Sequence, residues 1–581
     1  MNRRPPQAGT PSLPQPRRAA AWILALAAGS LPAGAATPAP EERIVEVHDG
    51  VRIVVDPAGR IFLAVRPLPG DGYGNLATRY TGDGVTWQEI RRWNEDAQPV
   101  LGRFYRIPLE VLRPPFRYYA LRRVFPADES IPEGWAHPIG AGQYPAEAES
   151  LWRIAEWFTG SGERFRELSQ VNAIPDLVLR PGDIVRIPDP LLLPPFGRAG
   201  QAAGEGPLRF ERDEAGEYAL YPLGPGEALY SAVAIRFTGR VESEEVNEAA
   251  ARIAERSGIR DVTRIPVGHP VRIPKDLLAS EYLPPGDLQR IEIELLQAEV
   301  DSVPPPARSG DLQGVYVVLD PGHGGVDVGT KYNGVQERDY VYDIMCRIKR
   351  RLERDTSATV LVTVKDEKTG FAVSDHNKLR RNGDGVILTH PPYRHTDPDL
   401  RAVAVNLRWY LANSYFRDLR RQGVGEDKIL FTSIHADSLH PAVRGATFYV
   451  PGERFRRGTY GNQGAVYHRR QEVREKPFVS FPRSERIQSE GLSRKFSTRI
   501  AAAFRANDIA VHPYQPIRGH VIRKRQNWIP AVIRANEIPT KILLEVCNLR
   551  NAADNRLLTD PAFRERIAKA YVEAVIAFYR G

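Results

Sequence analysis

Residues 315–325 read VYVVLDPGHGG, and this stretch decides the fold. It runs apolar and β-rich as far as Asp320, as expected of a central strand that is covered on both faces. Glycines then flank His323 on both sides, which predicts a tight turn that holds the imidazole beside exposed backbone. The stretch therefore predicts a buried strand that ends in a loop suited to a ligand or to catalysis.

Two further apolar runs end in residues of the same kind. Residues 429–434 directly precede His435, and residues 541–544 directly precede Glu545. In open α/β sheets the ligand crevice lies outside the carboxyl ends of the strands, so we expect His323, His435 and Glu545 to converge there. Two histidines and one glutamate are the ligand set of several catalytic zinc sites, which keep a fourth position for water. The sequence thus predicts a hydrolytic metal site, and a second carboxylate can take the proton of the water.

One helix is predicted between the first two of these strands. Residues 338–354 carry an apolar stripe with helical spacing, and Glu337 stands at its N-terminal edge. A glutamate at this position often does no more than offset the helix dipole, an effect of about 0.3–1 kcal/mol. The pattern alone therefore leaves the role of Glu337 open.

The N-terminal half is modular, because between about residues 44 and 274 one pattern returns three times. In the clearest copy, residues 150–158 and 164–172 have helical spacing, and residues 179–188 supply a turn and a final strand. The order helix, helix, strand predicts small α+β modules. We place the units, in chain order, at residues 44–118, 137–190 and 217–275, followed by a linker at 276–311 and a catalytic domain at 312–581.

Composition excludes several classes of protein. The chain of 581 residues is 42% hydrophobic and 26% charged, so it is neither globally disordered nor a polytopic membrane protein. Its net charge is +9, and residues 312–581 carry 45 basic against 29 acidic side chains, a balance that attracts polyanions in general. Because no zinc finger or helix-turn-helix motif is present, we expect no nucleic-acid partner. Two cysteines cannot build a disulfide framework, and we expect both to be structural.

The N-terminus predicts export. Basic residues up to Arg18 precede an apolar run at residues 19–28 and small residues as far as Ala36, which indicates a signal peptide over residues 1–36. The apolar run is too short for a confident membrane span, so no span is expected after processing. A disordered tail rich in Arg, Pro and Ala is the alternative, and the pair at Arg17 and Arg18 leaves twin-arginine export open.

Four blocks in this order resemble the zinc-dependent N-acetylmuramoyl-L-alanine amidases of bacterial cell walls. They are LDPGHGGVDVG at 319–329, GVQERD at 334–339, SIHAD at 433–437 and LLEV at 543–546. The resemblance runs from about residue 315 to residue 579. It implies an α/β fold, with an open, twisted and mostly parallel sheet flanked by helices.

The resemblance also implies a site and a reaction. His323, Glu337 and His435 would bind Zn²⁺, and Glu545 would be the catalytic carboxylate that acts on the zinc-activated water. The implied reaction hydrolyses the amide bond between N-acetylmuramic acid and L-alanine of the stem peptide. Cys547 stands where the family has a glycine after the catalytic Glu-Val pair.

The three N-terminal modules resemble LysM modules, which are βααβ folds that bind the N-acetylglucosamine of peptidoglycan. The first copy lacks the Pro-Gly turn before its last strand, and the third contains an acidic insertion at residues 241–248. The resemblance therefore implies glycan binding by the second copy, whereas the other two are candidates for spacers.

Two stretches depart from the family pattern. Residues 366–399 lie within the long interval between Glu337 and His435 and read as a surface insertion. We expect its histidines to be solvated loop residues, with a second metal site as the alternative; they are His376, His390 and His395.

The second departure, residues 444–490, is rich in Arg, Gly and Pro. Its position favours either a segment that blocks the zinc until an activator moves it, or a basic loop that holds the anionic wall.

The leading hypothesis is thus an exported enzyme, periplasmic or secreted and associated with the cell wall. Its expected partners are the glycan strands and stem peptides of peptidoglycan, and an activator protein is a further candidate partner. Two other hypotheses are a non-catalytic peptidoglycan-binding regulator of other wall hydrolases and a zinc exopeptidase of related fold. The presence of all four expected site residues argues against the regulator, and the three modules would have no role in an exopeptidase.

Overall fold

The computed structural model describes residues 42–48, 50–197 and 206–580. The predicted signal peptide at 1–36 lies outside these residues. Within the described ranges, no helix is both long and apolar enough to cross a membrane.

The first module is a four-stranded antiparallel sheet with two helices inserted before its last strand. The strands are Arg43–His48, Val51–Val55, Ile61–Val65 and Tyr105–Pro108, and the helices are Tyr73–Thr81 and Trp87–Arg92. Tyr105–Pro108 pairs with Ile61–Val65, which closes the sheet over the helices.

The second module repeats the plan with strands Glu129–Ile131, Gly134–Pro138 and Ile184–Pro188 and helices Leu151–Thr159 and Phe165–Val171. The first helix begins at Ser150, whose side chain accepts a hydrogen bond from the Arg153 amide, and it ends at Gly160 in the left-handed region. The order helix, helix, strand is the one that the sequence predicts for this segment.

The third module has strands Arg209–Asp213, Gly216–Pro222 and Pro270–Pro274 in one antiparallel sheet. Between them lie a π-helical segment Leu229–Ile235 that continues into Arg236–Thr238, and the helix Ser243–Arg256. The acidic insertion at 241–248 is therefore the start of this helix, where acidic side chains offset the helix dipole.

The three modules do not pack alike. The first two share one apolar core, with the helix Pro114–Val124 between them. The third module instead shares a core with the C-terminal domain, in which Val271 and Ile273 join Phe431 and Leu543 of the C-terminal sheet.

The segment 276–311, expected to be a linker, contains the helix Leu288–Ser302. Ile291 and Leu295 pack into the core of the first two modules, whereas Val300 packs into the core of the C-terminal domain. The expectation of a linker is wrong for this part, because the apolar stripe of the helix has partners on both sides.

The C-terminal domain is built on a six-stranded mixed sheet. Its order is Thr359–Val362, Tyr316–Pro321, Ile429–Asp437, Thr540–Asn548, Thr447–Tyr449 and Ile517–Arg518. The first four strands are parallel, and Thr447–Tyr449 runs antiparallel to Thr540–Asn548. The three strands predicted from the sequence are therefore adjacent and parallel at the centre of the sheet.

Helices cover both faces of this sheet. Glu337–Asp355, Arg483–Ala506 and Pro561–Arg580 pack on one face. Arg401–Arg421, Ala531–Arg534 and the third module contribute to the other. Smaller elements complete the domain: the strands Lys331–Tyr332, Val335–Gln336, Tyr460–Gly461, Phe478–Val479, Val521–Arg523 and Gln526–Trp528, and the helices Ala465–His468, Gln471–Glu475 and Ala552–Thr559.

The stretch 366–399 is only partly a surface insertion. It contributes to a small antiparallel sheet of Val364–Asp366, Gly385–Ile387 and Tyr393–Arg394. His376 and His390 are exposed as expected, but His395 is 4% exposed and its ring pairs with the Asp397 carbonyl at 2.8 Å. The expectation of a solvated loop is therefore wrong for His395.

The stretch 444–490 enters the core. It includes the sheet strand Thr447–Tyr449, and Val450 and Val473 are fully buried. A basic surface loop is thus a poor description of its first part, because a strand that pairs on both sides lies inside the sheet.

Candidate active site

The structure brings His323, Glu337 and His435 together at the carboxyl end of the central strands. Each offers one ligand atom, and these atoms lie within 4.8 Å of one another. His323 follows the strand Tyr316–Pro321, and His435 lies near the end of Ile429–Asp437. Glu337 is the first residue of its helix, so the helix start completes a cluster that the strands begin.

Glu337 bridges the two imidazoles. One carboxylate oxygen, Oε2, lies 3.1 Å from His323 Nε2, and the other, Oε1, lies 3.0 Å from His435 Nδ1. The amides of Thr330 and Ala436 donate to these oxygens at 2.9 Å and 3.0 Å. Burial opposes the charge, but both histidines favour it, and the pKa of Glu337 lies well below its ordinary value.

His323 is held in one orientation. Its Nδ1 lies 2.8 Å from Asp327 Oδ2, so its Nε2 is left to face Glu337 and the centre of the site. Burial lowers the pKa of His323, but the two carboxylates outweigh it and raise the pKa to about 10. Asp327 in turn has its pKa lowered to about 2, because its pairing with His323 outweighs burial. His323 also has φ of 64°, a conformation that costs energy for a residue with a side chain.

Two positions near the cluster must be glycine, because side chains of the cluster lie too close to them for a Cβ atom. A Cβ on Gly329, whose φ is +66°, would lie 2.5 Å from Glu337 Oε2 and 2.8 Å from His323 Nε2. A Cβ on Gly322 would lie 2.7 Å from His435 Nε2. Each glycine therefore makes room for a side chain of the cluster as well as for a turn.

A buried polar network fixes the loop that carries His323. Asp320 accepts hydrogen bonds from Arg408 Nη1 at 2.7 Å and from Ser433 Oγ at 2.6 Å. Arg408 also donates to the main-chain carbonyl of His323. Behind the loop, the carbonyls of Asn382 and His395 accept from the amides of Gly325 and Val326 at 2.9 Å and 3.0 Å. The stretch 366–399 thus supports the site from behind.

Glu545 lies opposite His435, because the two residues are register partners on adjacent strands. It is 7% exposed, and within the described ranges its Oε2 is buried without a hydrogen-bond partner. Burial raises the pKa of Glu545 well above its ordinary value, and the nearby charges of Asp437 and Glu337 add to the increase. The positions of the strand ends in the sequence predicted that Glu545 would join the two histidines. In the structure, the carboxylate within the cluster of ligand atoms is that of Glu337.

Sequence reasoning assigned no role to three residues that shape the site. Asp327 and Asp437 lie inside the quoted blocks, and Arg408 lies in none of them. Asp437 is near the donors Tyr449 Oη and Thr447 Oγ1, at 3.3 Å and 3.4 Å. Burial, helped by Glu242 and Glu337, raises the pKa of Asp437 to about 7. The position of Asp327, four residues after His323, was a sequence signal that its carboxylate could contact the imidazole. The sequence around Arg408 contained no signal of its role.

The donor set fits a zinc ion. Two imidazoles and one carboxylate are the ligands of several catalytic zinc sites. The pairing of His323 with Asp327 leaves the other ring nitrogen free for a metal, which is the usual arrangement for a metal-binding histidine. Both cysteines are buried, and burial raises the thiol pKa of Cys346 to about 12 and that of Cys547 well above its ordinary value. A cysteine nucleophile is therefore disfavoured, as expected from the sequence.

A mixed α/β sheet with a two-histidine, one-glutamate cluster and a buried carboxylate beside it defines a candidate metal-dependent hydrolase site. Comparison with known proteins adds a family. Residues 317–577 match the family model described as N-acetylmuramoyl-L-alanine amidase, and this region contains all four site residues. The match covers less than half of the chain, and it shows that the C-terminal domain is similar to this family.

Individual relatives are distant. The chain is 22% identical over 276 residues to an uncharacterized cell wall amidase of Bacillus anthracis, an alignment that covers 47% of this chain and 37% of that protein. The chain therefore spans little more than a third of the length of this curated relative. The amidase Ami1 of Mycobacterium smegmatis is 17% identical, with a TM-score of 0.29, over 46% of this chain and 99% of that one. The CwlD amidase of Clostridioides difficile, solved with the GerS lipoprotein, is 16% identical, with a TM-score of 0.28, over 45% and 98%.

Proposed function

We propose that this protein is a zinc-dependent N-acetylmuramoyl-L-alanine amidase. It hydrolyses the amide bond between N-acetylmuramic acid and L-alanine of the peptidoglycan stem peptide. The observation that carries the proposal is the cluster of His323, Glu337 and His435 with Glu545 opposite His435, inside the region that matches the amidase family model.

His323, Glu337 and His435 are the proposed ligands of the zinc ion. When bound, zinc supplies an activated water and polarises the scissile carbonyl. Asp327 holds the His323 ring through Nδ1, and the amides of Thr330 and Ala436 hold the Glu337 carboxylate. These contacts fix the donors before any substrate arrives, which reduces the reorganisation that catalysis requires.

Glu545 is the proposed general base and acid. Its burial and the neighbouring carboxylates favour a carboxyl that takes up a proton readily. A group of this kind accepts the proton of the attacking water and passes it to the leaving amine of L-alanine. Its Oε2, which has no hydrogen-bond partner among the described residues, gives that proton a place to reside.

The remaining modules suit the same substrate. We propose that the chain is exported, periplasmic or secreted, and that its N-terminal LysM-like modules bind the glycan strand. The second module is the main candidate for this binding. An activator protein is a further proposed partner, and it would be recognised as a protein that raises the turnover of the purified enzyme.

Mass spectrometry of the soluble products from purified peptidoglycan tests the proposal. The mature protein is incubated with the polymer, with and without a zinc chelator. Release of intact stem peptides that stops with the chelator is the expected result. Release of free amino acids would instead identify an exopeptidase, and no release from zinc-loaded protein would favour the non-catalytic regulator.

A further inference from the structure

The third module lies against the carboxyl end of the strand that carries His435. The main-chain amide of His440 donates to the Val241 carbonyl at 2.9 Å. The ring of Tyr230 stacks on the ring of His440, with centroids 5.3 Å apart and planes 8° from parallel. Two residues of the third module thus contact the loop that follows the strand of His435, a proposed ligand.

A second contact joins the module to the neighbouring strand, the one that carries Glu545. Arg550, two residues beyond the strand Thr540–Asn548, donates from Nη1 to Ser243 Oγ at 3.2 Å. The module therefore touches the loops beyond both strands of the site, and the shared apolar core behind these contacts keeps it in place.

Glu242 stands between the two anchored residues Val241 and Ser243. It is half-buried and precedes the helix Ser243–Arg256, yet its side chain makes no capping hydrogen bond to that helix. Within the described residues its carboxylate forms no hydrogen bond or ion pair, although Arg523 acts on it electrostatically. A half-buried carboxylate without a direct partner among the described residues is available to bind a ligand of opposite charge.

The surroundings of Glu242 are already acidic. Asp437 and Glu545 lie near enough for the negative charge of Glu242 to act on both carboxylates. A further negative group beside these carboxylates is repelled by them. A positively charged partner would be attracted by all of these carboxylates, and a substrate can carry such a positive group.

Resting on the amidase function proposed above, we propose that the third module forms one wall of the substrate cleft and that Glu242 binds a protonated primary amine of the stem peptide. The side-chain amine of a diamino residue in that peptide has the required chemistry. Glu242 is then a substrate-positioning residue that sets specificity, and the third module is part of the catalytic unit.

The test compares two synthetic substrates with the full chain loaded with zinc. Both are N-acetylmuramoyl peptides that contain a diamino residue, one with a free side-chain amine and one with that amine acetylated. A hydrogen bond between charged groups discriminates by about tenfold, so the wild type should prefer the free amine by about that factor in kcat/KM. The difference should lie in KM, because the contact is made equally before and during the reaction.

In the Glu242→Gln variant the preference should disappear, so that the two peptides have about equal kcat/KM. Glutamine keeps the size of the side chain, and no capping bond is lost, so the fold should persist. Glu244→Gln is the matched control, because Glu244 is exposed on the same helix, and it should keep the preference. Calorimetric binding of both peptides to the Glu545→Ala protein gives the same comparison without turnover.

Each other outcome overturns the inference. Equal kcat/KM for the two peptides in the wild type, or a preference that survives Glu242→Gln, removes the proposed contact. A rise in turnover of both peptides in Glu242→Gln identifies an inhibitory contact instead. Failure of the wild type to cleave either peptide rejects the amidase function itself, and equal binding in the calorimeter then rejects the role of Glu242 separately.

Discussion

At the residue scale, four carboxylates near one site have different environments and therefore different tasks. Glu337 is held charged by two histidines, and Asp327 by its pairing with His323. Glu545 is buried and Asp437 is half-buried, and burial raises the pKa of both carboxyls. The separation supports the proposed roles, which are metal binding for Glu337, orientation of His323 for Asp327, and proton transfer for Glu545.

The roles of Glu545 and His323 are separable by substitution. We expect Glu545→Ala to retain zinc and fold while its turnover falls by about 10²–10⁴-fold, since it removes the general base alone. His323→Ala should lose the metal itself. Zinc stoichiometry measured beside peptidoglycan hydrolysis distinguishes the two effects. Glu573→Ala, on the last helix and far from the blocks of the site in sequence, serves as the control, and near-normal turnover of Glu545→Ala would refute the assignment.

Gly329 and Gly334 offer a matched comparison of steric crowding and backbone strain. Both have positive φ, +66° and +78°, but only at Gly329 would a Cβ meet the site, whereas nothing lies within 4 Å of one at Gly334. We expect Gly329→Ala to weaken zinc binding by about tenfold or more, because it displaces Glu337 and His323. Gly334→Ala should cost only about 1 kcal/mol of stability through strain. Competition with a coloured chelator measures the metal affinity, and equal affinities in both variants would contradict this account.

At the element scale, a buried charged group ties strand to helix in the second module. His137 is fully buried, with Nδ1 2.9 Å from Asp128 Oδ1 and Nε2 3.8 Å from Glu149 Oε2. Burial lowers its pKa, but the two carboxylates outweigh burial and raise the pKa to about 9. The contact between His137 and Glu149 joins the strand Gly134–Pro138 to the segment that leads into the helix Leu151–Thr159.

This arrangement predicts a pH dependence of the second module. The pKa of His137 is about 9 in the folded state and about 6.5 in the unfolded state. Protonated His137 therefore contributes its full stabilisation below about pH 6.5, and this contribution is lost as the pH rises from there to about 9. Hydrogen exchange of peptides from residues 128–158 should therefore quicken between pH 7 and pH 9 after correction for intrinsic rates. His137→Phe should remove this extra dependence, and an unchanged profile in that variant would assign the effect to other groups.

Much at the element scale was predictable from local pattern. The strands that precede His323, His435 and Glu545, the helix that begins at Glu337, and the helix–helix–strand order of the second module follow from apolar periodicity and turn residues. The burial of His395 and the helix Leu288–Ser302 in the expected linker were not predictable, because each depends on a partner that is distant in sequence.

At the scale of the whole molecule, one helix and one module join the N-terminal half to the catalytic domain. Glu299 of the helix Leu288–Ser302 is 1% exposed, accepts from Tyr80 Oη at 3.1 Å and pairs with Arg483 of the C-terminal domain. The third module covers part of one face of the C-terminal sheet through the shared core. The protein is therefore not a catalytic domain on a flexible string of modules.

Truncation tests this integration. The fragment 312–581 should be unstable and bind a hydrophobic dye, because loss of the third module exposes buried side chains such as Phe431 and Leu543 that each contribute about 2 kcal/mol. The fragment 206–581 keeps the module and should unfold at a clearly higher temperature. Calorimetry of both fragments decides the point, and equal melting temperatures would make the third module a peripheral addition.

The sequence by itself determined the elements of this protein and the chemical character of their ends. A strand that stops at a histidine or glutamate is a local fact, and parallel neighbours bring such ends to one edge. The family resemblance of the sequence blocks also named Glu337 as a member of the cluster, whereas strand ends alone did not. Only the tertiary structure decided that the third module lies against this edge of the sheet, and that Glu242 stands there without a direct partner among the described residues. The physical reason is that periodicity shows which face of an element must be buried, whereas the partner that covers this face is chosen by packing across the whole chain.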